Sequence, residues 1–564
     1  MRILLIASAY NSLSQRVEAE LGDRGHQVRF REAAGERALC RAVEEYDPHL
    51  VIAPMLKSVI PAEIYKSRVC LVVHPGPMGD RGPSALDWAV DGGERRWGVT
   101  VLQAAEEMDG GDIWATVGCE LPPRAKSDLY RGEIADAALQ AVHLAVERYA
   151  SGQYVPEPLD YTRPDVRGRA RPYFKQDRRR IDWAADDTAT VLRKLRAADS
   201  FPGVLDEIGG LEYFLYGGHA EDELRGRPGR LLARRAGAVC RATTDGAVWL
   251  TQLRPRRMPD GPATFKMPAE LALGHAARLL PEVPAPLELP AGRRTWTDIH
   301  YREHAGGRVG VLGFSFPAGA MSTGQCRRLL AAYRHALTRR TKVLVLGGER
   351  DFFSNGIHLG TIEAAFDSAA ESWDNINAMN DLVQAVLETT DRLTVAALGG
   401  NAAAGGVMFA LAADEVWCRQ GVTLNPHYRR MGLYGSEYWT YTLPRRVGWE
   451  QAHLLTEDAV PVSASRARHL GLVDHVLPAA PEEFTGAAAD LAEAVAASRH
   501  LAERLREKRR QRERDESIKP LAWYRSGELA RMWHNFYGED TSYHDLRSAF
   551  IRKQRASDPA VTRS

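Results

Sequence analysis

A glycine- and alanine-rich segment, LGGNAAAGGVMFALAADEV (398–416), places the strongest limits on what this chain can fold into. An apolar run typical of a strand ends at Leu398, and the apolar run after the paired glycines indicates a helix, whose first N–H groups favour negative charge. A second loop, FFSNGIHLG (352–360), follows the strand-like run VLVLGG (343–348). Two backbone N–H groups that converge on one oxygen form an oxyanion hole in a dry site. The two loops together predict such a hole.

Both loops resemble signatures of the crotonase superfamily, which includes the enoyl-CoA hydratases and isomerases. FSNGIHL resembles the family's FSAGADL, GNAAAGGVMFALAAD resembles its GxAxGGGxxLAxACD, and the later LPRRVG and SASRARHLGLVDHV also fit. The resemblance implies a spiral α/β domain that binds coenzyme A thioesters. It further implies that the N–H groups of Ile357 and Gly405 polarise the thioester carbonyl, and that coenzyme A contacts Asn355, Gly356, Gly406 and Tyr434.

Two departures from the crotonase pattern argue against ordinary hydration of an enoyl thioester. Met408 and the Pro426-His427 pair stand where hydratases carry their catalytic carboxylates. The run LNPHYRRMGLYGSEYW (424–439) instead offers His427, Tyr428 and Glu437 as groups that can move a proton from an acyl thioester. In the alternative reading, the tyrosines of this run pack in a core and the glutamate lies in a solvated loop.

Composition excludes several classes of protein. The chain of 564 residues predicts three or four domains, and its 74 basic residues balance 73 acidic ones, so we expect neither a nucleic acid nor a membrane partner. Six widely spaced cysteines without a CxxC pair fit the reducing cytoplasm, where we expect the protein to work. The opening MRILLIASAY is a predicted strand, and no run approaches a bilayer span. No metal-binding spacing is present, so we predict no metal site.

Residues 1–165 alternate short apolar runs with helical patterns, which predicts a Rossmann-like parallel α/β domain. The predicted strands are ILLIA (3–7), HQVRF (26–30), HLVIAP (49–54) and VCLVVHP (69–75). In such sheets the site lies beyond the carboxyl ends of the strands, where His74 stands. Asp109 follows a further predicted strand. A carboxylate can orient and charge an imidazole, so the two residues form a candidate catalytic pair, although such a pair can also be purely structural.

The sequence around this pair resembles the folate-dependent formyltransferases. PMLKSVIP (54–61), HPGPMGDRGPSAL (74–86) and MDGGDI (108–113) carry the resemblance, which implies 10-formyltetrahydrofolate as formyl donor and His74 and Asp109 as catalytic residues. Val72 replaces the asparagine that helps these enzymes to bind the formyl oxygen. Asp112 is a weaker substitute for Asp109. The residues that we expect to bind the folate are Leu56, Lys57, Pro75, Gly76, Arg81 and Asp112.

The rest of the chain predicts two more domains. Residues 166–275 begin with an Arg/Pro-rich bridge, interpreted as a solvated linker, and continue as a small OB-like antiparallel barrel that resembles the carboxyl-terminal domain of transfer-RNA formyltransferases. Residues 276–564 form the crotonase-like domain. Its charged helix at 499–516 is interpreted as solvated, with contact to coenzyme A phosphates as the alternative. The aromatic segment after it is expected to cover the acyl site or another subunit.

This domain order resembles the HypX/HoxX family of nickel–iron hydrogenase maturation proteins. The resemblance implies a formyltransferase coupled to a formyl-CoA decarbonylase: the formyl group passes from 10-formyltetrahydrofolate to coenzyme A, and formyl-CoA releases carbon monoxide for the hydrogenase iron. Hydrogenase maturation proteins are then the expected partners. Two alternatives stay open, namely a hydrolase that yields formate, with His427 activating water, and a non-catalytic module that delivers a ligand.

Overall fold

A computed structural model describes residues 1–554. The chain divides into two compact units. The first comprises Met1–Asp182 with Ala189–Leu205, and the second comprises Trp183–Thr188 with the described chain from Asp206 onward. The predicted domain boundaries after residues 165 and 275 stay predictions, and residues 555–564 of the predicted third domain lie outside the described residues.

The first unit is built on a six-stranded sheet with helices on both faces. Its apolar strand residues alternate between two cores: Ile3 and Leu5 face one, and Leu4 and Ile6 face the other. The four predicted strands are confirmed. In sheet order the strands are Gln27–Glu32, Arg2–Ala7, Leu50–Met55, Cys70–His74, Arg96–Gln103 and Ile113–Glu120. The helices are Ser12–Asp23, Glu36–Tyr46, Ala62–Tyr65, Ala85–Asp91, Lys126–Arg131, Glu133–Ser151, Gln176–Arg179 and, reaching across the unit boundary, Thr188–Ala198.

The prediction of a wholly parallel sheet is wrong for its last two strands. The first four strands are parallel, but Arg96–Gln103 runs antiparallel to Cys70–His74 and pairs with Ile113–Glu120 as a hairpin. Antiparallel strands need only a short connection, and the loop between these two contains Asp109. Asp109 and His74 therefore do not lie at the ends of two neighbouring parallel strands, as predicted. The hairpin loop brings Asp109 close to His74 instead.

The interpretation of the Arg/Pro-rich bridge as a solvated linker is also wrong in part. Its backbone pairs with the turn that follows His74: Gly168 N donates to Met78 O at 2.8 Å, and Arg171 N donates to Arg81 O at 2.8 Å. The side chain of Arg179 is only 1% exposed and forms an ion pair with Asp87. Buried arginine requires a partner, and these partners lie far away in the sequence, where no local pattern reveals them.

The second unit begins with an antiparallel sheet and a short helical connection. In sheet order the strands are Val204–Ile208, Leu211–Glu221, Ala247–Pro255, Ala238–Ala242 and Leu231–Arg235, with Met267–Pro268 paired to Ala247–Pro255. Two short helices follow, Ala269–Leu273 and His275–Arg278. Antiparallel pairing in this region is confirmed. Closure into an OB-like barrel stays a prediction.

The larger part of the second unit is a spiral of strands and helices. Its main sheet has the order Ile299–His304, Val309–Phe314, Val343–Gly347, Leu393–Leu398, Glu415–Arg419 and His475–Leu477, and it is parallel except for the first pair. A small second sheet contains Ala402–Ala403, Thr423–Asn425 and Val462–Ser463. The α-helices are Thr323–Leu337, Leu359–Ala364, Ser368–Glu388, Gly405–Leu411, Trp439–Val447, Trp449–Glu457, Ala464–Leu470, Phe484–Ala497, Leu501–Ile518, Leu521–Tyr537 and Ser542–Arg552, and the short 3₁₀ turns are Ala305–Gly307, Pro317–Gly319 and Arg429–Met431.

Helical periodicity explains how this part of the unit packs. The predicted apolar face of Ser368–Glu388 is confirmed, because Ile376, Met379, Leu382, Val383 and Val386 are all buried. The charged helix Leu501–Ile518 is more than a solvated surface element. Arg504 pairs with Glu415, and Lys508 donates to Asp414 at 2.6 Å. Among the described residues, no helix is both long enough and apolar enough to cross a membrane.

Candidate functional site

His74 ends a central strand of the first unit and lies between two carboxylates. Its side chain is 5% exposed. Nε2 lies 3.0 Å from Asp80 Oδ1, and Nδ1 lies 3.6 Å from Asp109 Oδ2. The structure thus brings the predicted pair together, and it adds Asp80, which we did not single out from the sequence. The hydrogen bond to Asp80 fixes the ring orientation of the imidazole, as proton transfer at a defined atom requires, and the Asp109 carboxylate lies near the other ring nitrogen.

Asp80 is held by an arginine from the Arg/Pro-rich bridge. Arg171 Nε donates to Asp80 Oδ2 at 2.7 Å, and neither side chain is more than 10% exposed. The Arg171 guanidinium also lies 5.3 Å from the centre of the Trp97 ring. A buried carboxylate is stable as an anion only when it is paired and hydrogen-bonded. Asp80 receives this pairing from a residue 91 positions later, so the bridge completes the surroundings of His74.

The loop that carries Asp109 is fixed by backbone contacts. Gly82 N donates to Asp109 Oδ2 at 3.1 Å, and Asp109 has the left-handed φ of 55°. Arg81 ties the neighbouring loop residues, since its guanidinium pairs with Glu107 and donates to Met108 O at 3.3 Å. Arg81, predicted to bind folate, therefore also positions the Asp109 loop.

The other residues predicted to bind folate differ in their surroundings. Gly76 is buried against His74, and a Cβ at this position would lie 2.6 Å from His74 Nε2, so only glycine leaves the imidazole its place. Pro75 O accepts a hydrogen bond from Trp97 Nε1 at 2.9 Å. Leu56 is half-buried, whereas Lys57 and Asp112 are exposed. Asp112 therefore does not share the buried setting of Asp109, and its role as a substitute gains no support from the structure.

In the second unit the two glycine-rich loops lie side by side. Ala403 N donates to Ser354 O at 2.9 Å, and a Cβ on Gly356 would lie 3.3 Å from Gly405 N. Asn355 fixes its own loop by donating from Nδ2 to Ala318 O at 2.7 Å. A Cβ on Gly406 would overlap Ser354 O, so close approach of the two backbones requires glycine there. The predicted juxtaposition of the two loops is confirmed.

The two backbone groups assigned to the oxyanion hole have no acceptor within residues 1–554, because neither the Ile357 N–H nor the Gly405 N–H donates a hydrogen bond to another residue there. Gly405 is buried and Ile357 is half-buried. Backbone N–H groups inside a protein are nearly always paired, so two such groups on neighbouring loops are suited to receive an oxygen atom of a ligand. A thioester carbonyl supplies such an oxygen.

Glu437 faces this pair of loops. It is 1% exposed, and a Cβ on Gly405 would overlap its carboxylate, which places Oε1 directly against the Gly405 backbone. Tyr428 Oη donates to Glu437 Oε2 at 2.7 Å, and Ser436 N donates to the same oxygen at 3.1 Å. Asn380 Oδ1 accepts the Glu437 N–H at 2.9 Å. The alternative of a solvated glutamate in this loop is therefore wrong.

Burial controls the proton affinities around Glu437. It raises the pKa of Glu437 to about 7, and the hydrogen bonds from Tyr428 and Ser436 oppose that rise. It raises the pKa of Tyr428 well above the usual value, with a further contribution from the charge of Glu437. A carboxyl group poised near neutral pH is suited to act as a general base or acid.

The other residues singled out from the sequence in this region, His427, Tyr434 and Met408, have different surroundings. Burial lowers the pKa of His427 to about 4, and its buried Nδ1 has no hydrogen-bond partner among residues 1–554. Tyr434 N donates to Asn535 Oδ1 at 2.9 Å, and the Arg531 guanidinium lies 4.4 Å from the centre of the Tyr434 ring. Met408 is fully buried in the apolar core, where a hydratase-type carboxylate cannot be solvated.

Sequence reasoning missed two buried polar residues of this site, Asn380 and Glu528. Asn380 lies in the apolar face of Ser368–Glu388, and Glu528 lies in the aromatic segment at 521–537. Each interrupts a buried pattern, which is the signal that could have identified it. Glu528 brings the aromatic segment into contact with the turn of Glu437, because it accepts the N–H of the next residue, Tyr438, at 2.9 Å. That the segment covers an acyl site or another subunit stays a prediction.

Family comparisons define the class of protein. Residues 10–146 match the formyl transferase model, residues 174–265 match the model of the formyl transferase C-terminal domain, and residues 309–530 match the enoyl-CoA hydratase/isomerase model. The methionyl-tRNA formyltransferase of Pseudoalteromonas translucida is 26% identical over 191 residues, which cover 33% of this chain and 58% of that protein. The chain thus combines formyltransferase-like domains with an enoyl-CoA hydratase-like domain.

Full-length relatives narrow this class to one family. The hydrogenase maturation factor HoxX of Bradyrhizobium diazoefficiens is 46% identical over 564 residues, covering all of this chain and 96% of that protein. A crystal structure of HypX from Aquifex aeolicus in complex with tetrahydrofolic acid superposes with a TM-score of 0.93 and 43% identity, covering 98% of this chain and 96% of that one. The chain belongs to the HypX/HoxX family of hydrogenase maturation factors.

Proposed function

We propose that the protein makes carbon monoxide for hydrogenase maturation by moving the formyl group of 10-formyltetrahydrofolate to coenzyme A and then decarbonylating formyl-CoA. The observation that carries the proposal is the buried Glu437–Tyr428 pair, whose carboxylate lies against Gly405, a residue whose backbone N–H has no acceptor within residues 1–554. Hydratases carry a catalytic carboxylate at the position of Met408. Methionine has no group that could act as a base, and this one is buried in the core, so hydration lacks that catalytic group here.

The first step is transfer of the formyl group at His74. The bond between the formyl carbon and N10 of the folate breaks, and a bond between that carbon and the coenzyme A sulfur forms. The thiol loses one proton and N10 gains one, so His74 serves as the carrier between them. Asp80 holds the imidazole ring by a hydrogen bond to Nε2 at 3.0 Å, and the Asp109 carboxylate lies 3.6 Å from Nδ1. Leu56, Lys57, Pro75, Gly76, Arg81 and Asp112 are the proposed folate contacts.

The second step is loss of carbon monoxide from the thioester. The N–H groups of Ile357 and Gly405 polarise the formyl carbonyl, which makes the formyl hydrogen more acidic. Ionised Glu437 takes that proton while the carbon–sulfur bond breaks, and the thiolate regains a proton. Formyl-CoA thereby becomes carbon monoxide and coenzyme A without oxidation or reduction. Asn355, Gly356, Gly406 and Tyr434 are the proposed coenzyme A contacts.

Hydrolysis to formate is the competing outcome, and one observation favours it. The buried Nδ1 of His427 has no partner among residues 1–554, and its lowered pKa keeps the imidazole neutral at pH 7. A neutral imidazole can activate water. The proposed reaction requires that water be kept away from the thioester, whereas a hydrolase would deliver it to the same carbonyl.

Product analysis separates these reactions. The protein is mixed with 10-formyltetrahydrofolate labelled in the formyl carbon, with and without coenzyme A, and labelled carbon monoxide and formate are measured. Coenzyme A-dependent carbon monoxide supports the proposal, and formate alone supports the hydrolase and makes His427 the residue to replace.

The His74→Ala variant separates an enzyme from a delivery module. It should abolish turnover from folate while leaving carbon monoxide release from added formyl-CoA intact. If the wild-type protein turns over neither substrate, the non-catalytic delivery role replaces both reactions. Hydrogenase maturation proteins are the proposed partners in either case, and the cytoplasm is the proposed location.

A further inference from the structure

Glu528 forms a buried clamp on the turn that carries Glu437. It lies in the helix Leu521–Tyr537 and is 1% exposed. Oε2 accepts the Tyr438 N–H at 2.9 Å. Oε1 accepts the Thr440 N–H at 2.9 Å and the Thr440 hydroxyl at 2.5 Å. Both carboxylate oxygens are therefore used as acceptors by one short stretch of backbone.

That stretch has a conformation that needs external support. Glu437 and Tyr438 have φ values of 60° and 59°, in the left-handed region that side chains other than glycine rarely occupy. Such backbone persists only where its surroundings hold it. Asn380 Oδ1 holds the Glu437 N–H, and Glu528 holds the next N–H along the chain, so two elements fix two consecutive strained residues.

We infer that Glu528 is a positioning residue for decarbonylation, which holds the Glu437 carboxylate against Gly405. The inference rests on the proposed role of Glu437 and adds to it a residue that none of the related family patterns assigns. Glutamine cannot replace Glu528 in this clamp, because its side chain has only one acceptor oxygen. That oxygen could accept one of the two backbone N–H groups, and the NH₂ group would then point at the other N–H donor. A buried donor left without an acceptor then opposes the observed turn.

Glu528 is also a second buried carboxylate beside the proposed base. Burial raises the pKa of Glu528 and the negative charge of Glu437 adds to that rise, whereas the hydrogen bonds from Thr440 and Tyr438 oppose it. The pKa of Glu437 is set by burial and by the hydrogen bonds from Tyr428 and Ser436, so Glu528 acts on this base through the geometry of the turn. Other groups that face this pair are the hydroxyls of Tyr428, Tyr434 and Tyr438 and the thiol of Cys326.

The test compares Glu528→Gln with the exposed control Glu539→Gln in the full-length protein. Carbon monoxide release from added formyl-CoA and formyl transfer from folate to coenzyme A are measured separately. We expect E528Q to lower kcat for carbon monoxide release at least tenfold and to leave KM and formyl transfer unchanged. E539Q should match the wild type in all three measurements.

A smaller change keeps the test informative if E528Q does not fold. Thr440→Val removes only the hydroxyl donor to Glu528, whereas Thr440→Ser keeps it. We expect T440V to lower kcat about threefold or more and T440S to restore it. Wild-type kcat in E528Q, or in T440V if E528Q is unfolded, would overturn the inference.

A failure of the proposed function has a different signature. If the wild-type protein releases no carbon monoxide, the proposed reaction fails, and the clamp is then judged by the crystal structure of E528Q, or of T440V if E528Q is unfolded. A displaced Glu437 turn in that structure supports positioning by Glu528, and an unmoved turn overturns it.

Discussion

Replacing Tyr428 by phenylalanine changes the proposed base while leaving its position almost intact. Y428F removes the O–H donor that lies 2.7 Å from Glu437 Oε2 and keeps the aromatic ring. A hydrogen bond to a charged group contributes about 1.5–3 kcal/mol, which corresponds to roughly one to two pKa units. Because the ionised form of Glu437 loses this stabilisation, Y428F should raise its pKa further.

The size of the effect follows from the starting pKa. Glu437 has a pKa of about 7 and is therefore about half ionised at pH 7. A rise of one unit leaves about a tenth of it ionised, and a rise of two units leaves about a hundredth. Carbon monoxide release at pH 7 should then fall about 5- to 50-fold, and at pH 9 it should recover to at least about half of the wild-type rate.

The assay is kcat for carbon monoxide release from formyl-CoA between pH 5.5 and 9.5 or so, the range over which a group of pKa near 7 titrates. Tyr524→Phe serves as control, since it removes a hydroxyl from a half-buried tyrosine of the aromatic segment outside the Glu437 cluster. An unchanged pH profile in Y428F would refute the link between Tyr428 and the base. A loss of equal size at every pH would also refute this link, because it would indicate that Tyr428 transfers a proton itself and does not set the pKa of Glu437.

Two further substitutions test the two sites independently. Arg171→Ala leaves the buried carboxylate of Asp80, beside His74, without its cation. Because breaking a buried ion pair costs about 3–5 kcal/mol, formyl transfer should fall at least about tenfold, while carbon monoxide release from added formyl-CoA should persist. Unchanged formyl transfer would contradict the role of the ion pair. Gly405→Ala places a Cβ on the Glu437 carboxylate, so carbon monoxide release should fall at least about a hundredfold while formyl transfer persists. Gly486→Ala is its control, because a Cβ there meets no atom within 4 Å, and wild-type kcat in G405A would contradict the position assigned to Glu437.

Local sequence patterns were sufficient to predict the strand and the loops on which both sites are built. The strand ending at His74 and the two glycine-rich loops follow from apolar runs and from turns that require glycine, which depend on neighbouring residues alone. The direction of Arg96–Gln103 was predicted wrongly, because periodicity identifies a strand but does not say which way it pairs. Asp109 reaches His74 only through the hairpin loop that this pairing creates.

The polar partners of both sites could not be predicted in the same way. Arg171 lies 91 residues from Asp80, and Glu528 lies 90 residues from Tyr438. Both arise in segments whose composition suggests something else, an Arg/Pro-rich bridge and an aromatic helix. A buried charge takes whichever partner the tertiary fold brings near, so its partner cannot be deduced from local spacing. An acidic residue within an otherwise buried helical face is nevertheless a usable signal, and Glu528 has that signal.

In the proposed reaction, the second unit keeps the backbone of a thioester site but places its proton-transfer group differently. The N–H groups of Ile357 and Gly405 are the proposed donors to the thioester carbonyl, and Met408 fills one hydratase carboxylate position with apolar volume. Glu437 approaches instead from a left-handed turn held by Asn380 and Glu528. A base that is buried, poised near neutral pH and aimed at the carbonyl side is suited to remove a formyl proton in the absence of water. The same backbone frame can therefore serve carbon–sulfur cleavage in place of water addition.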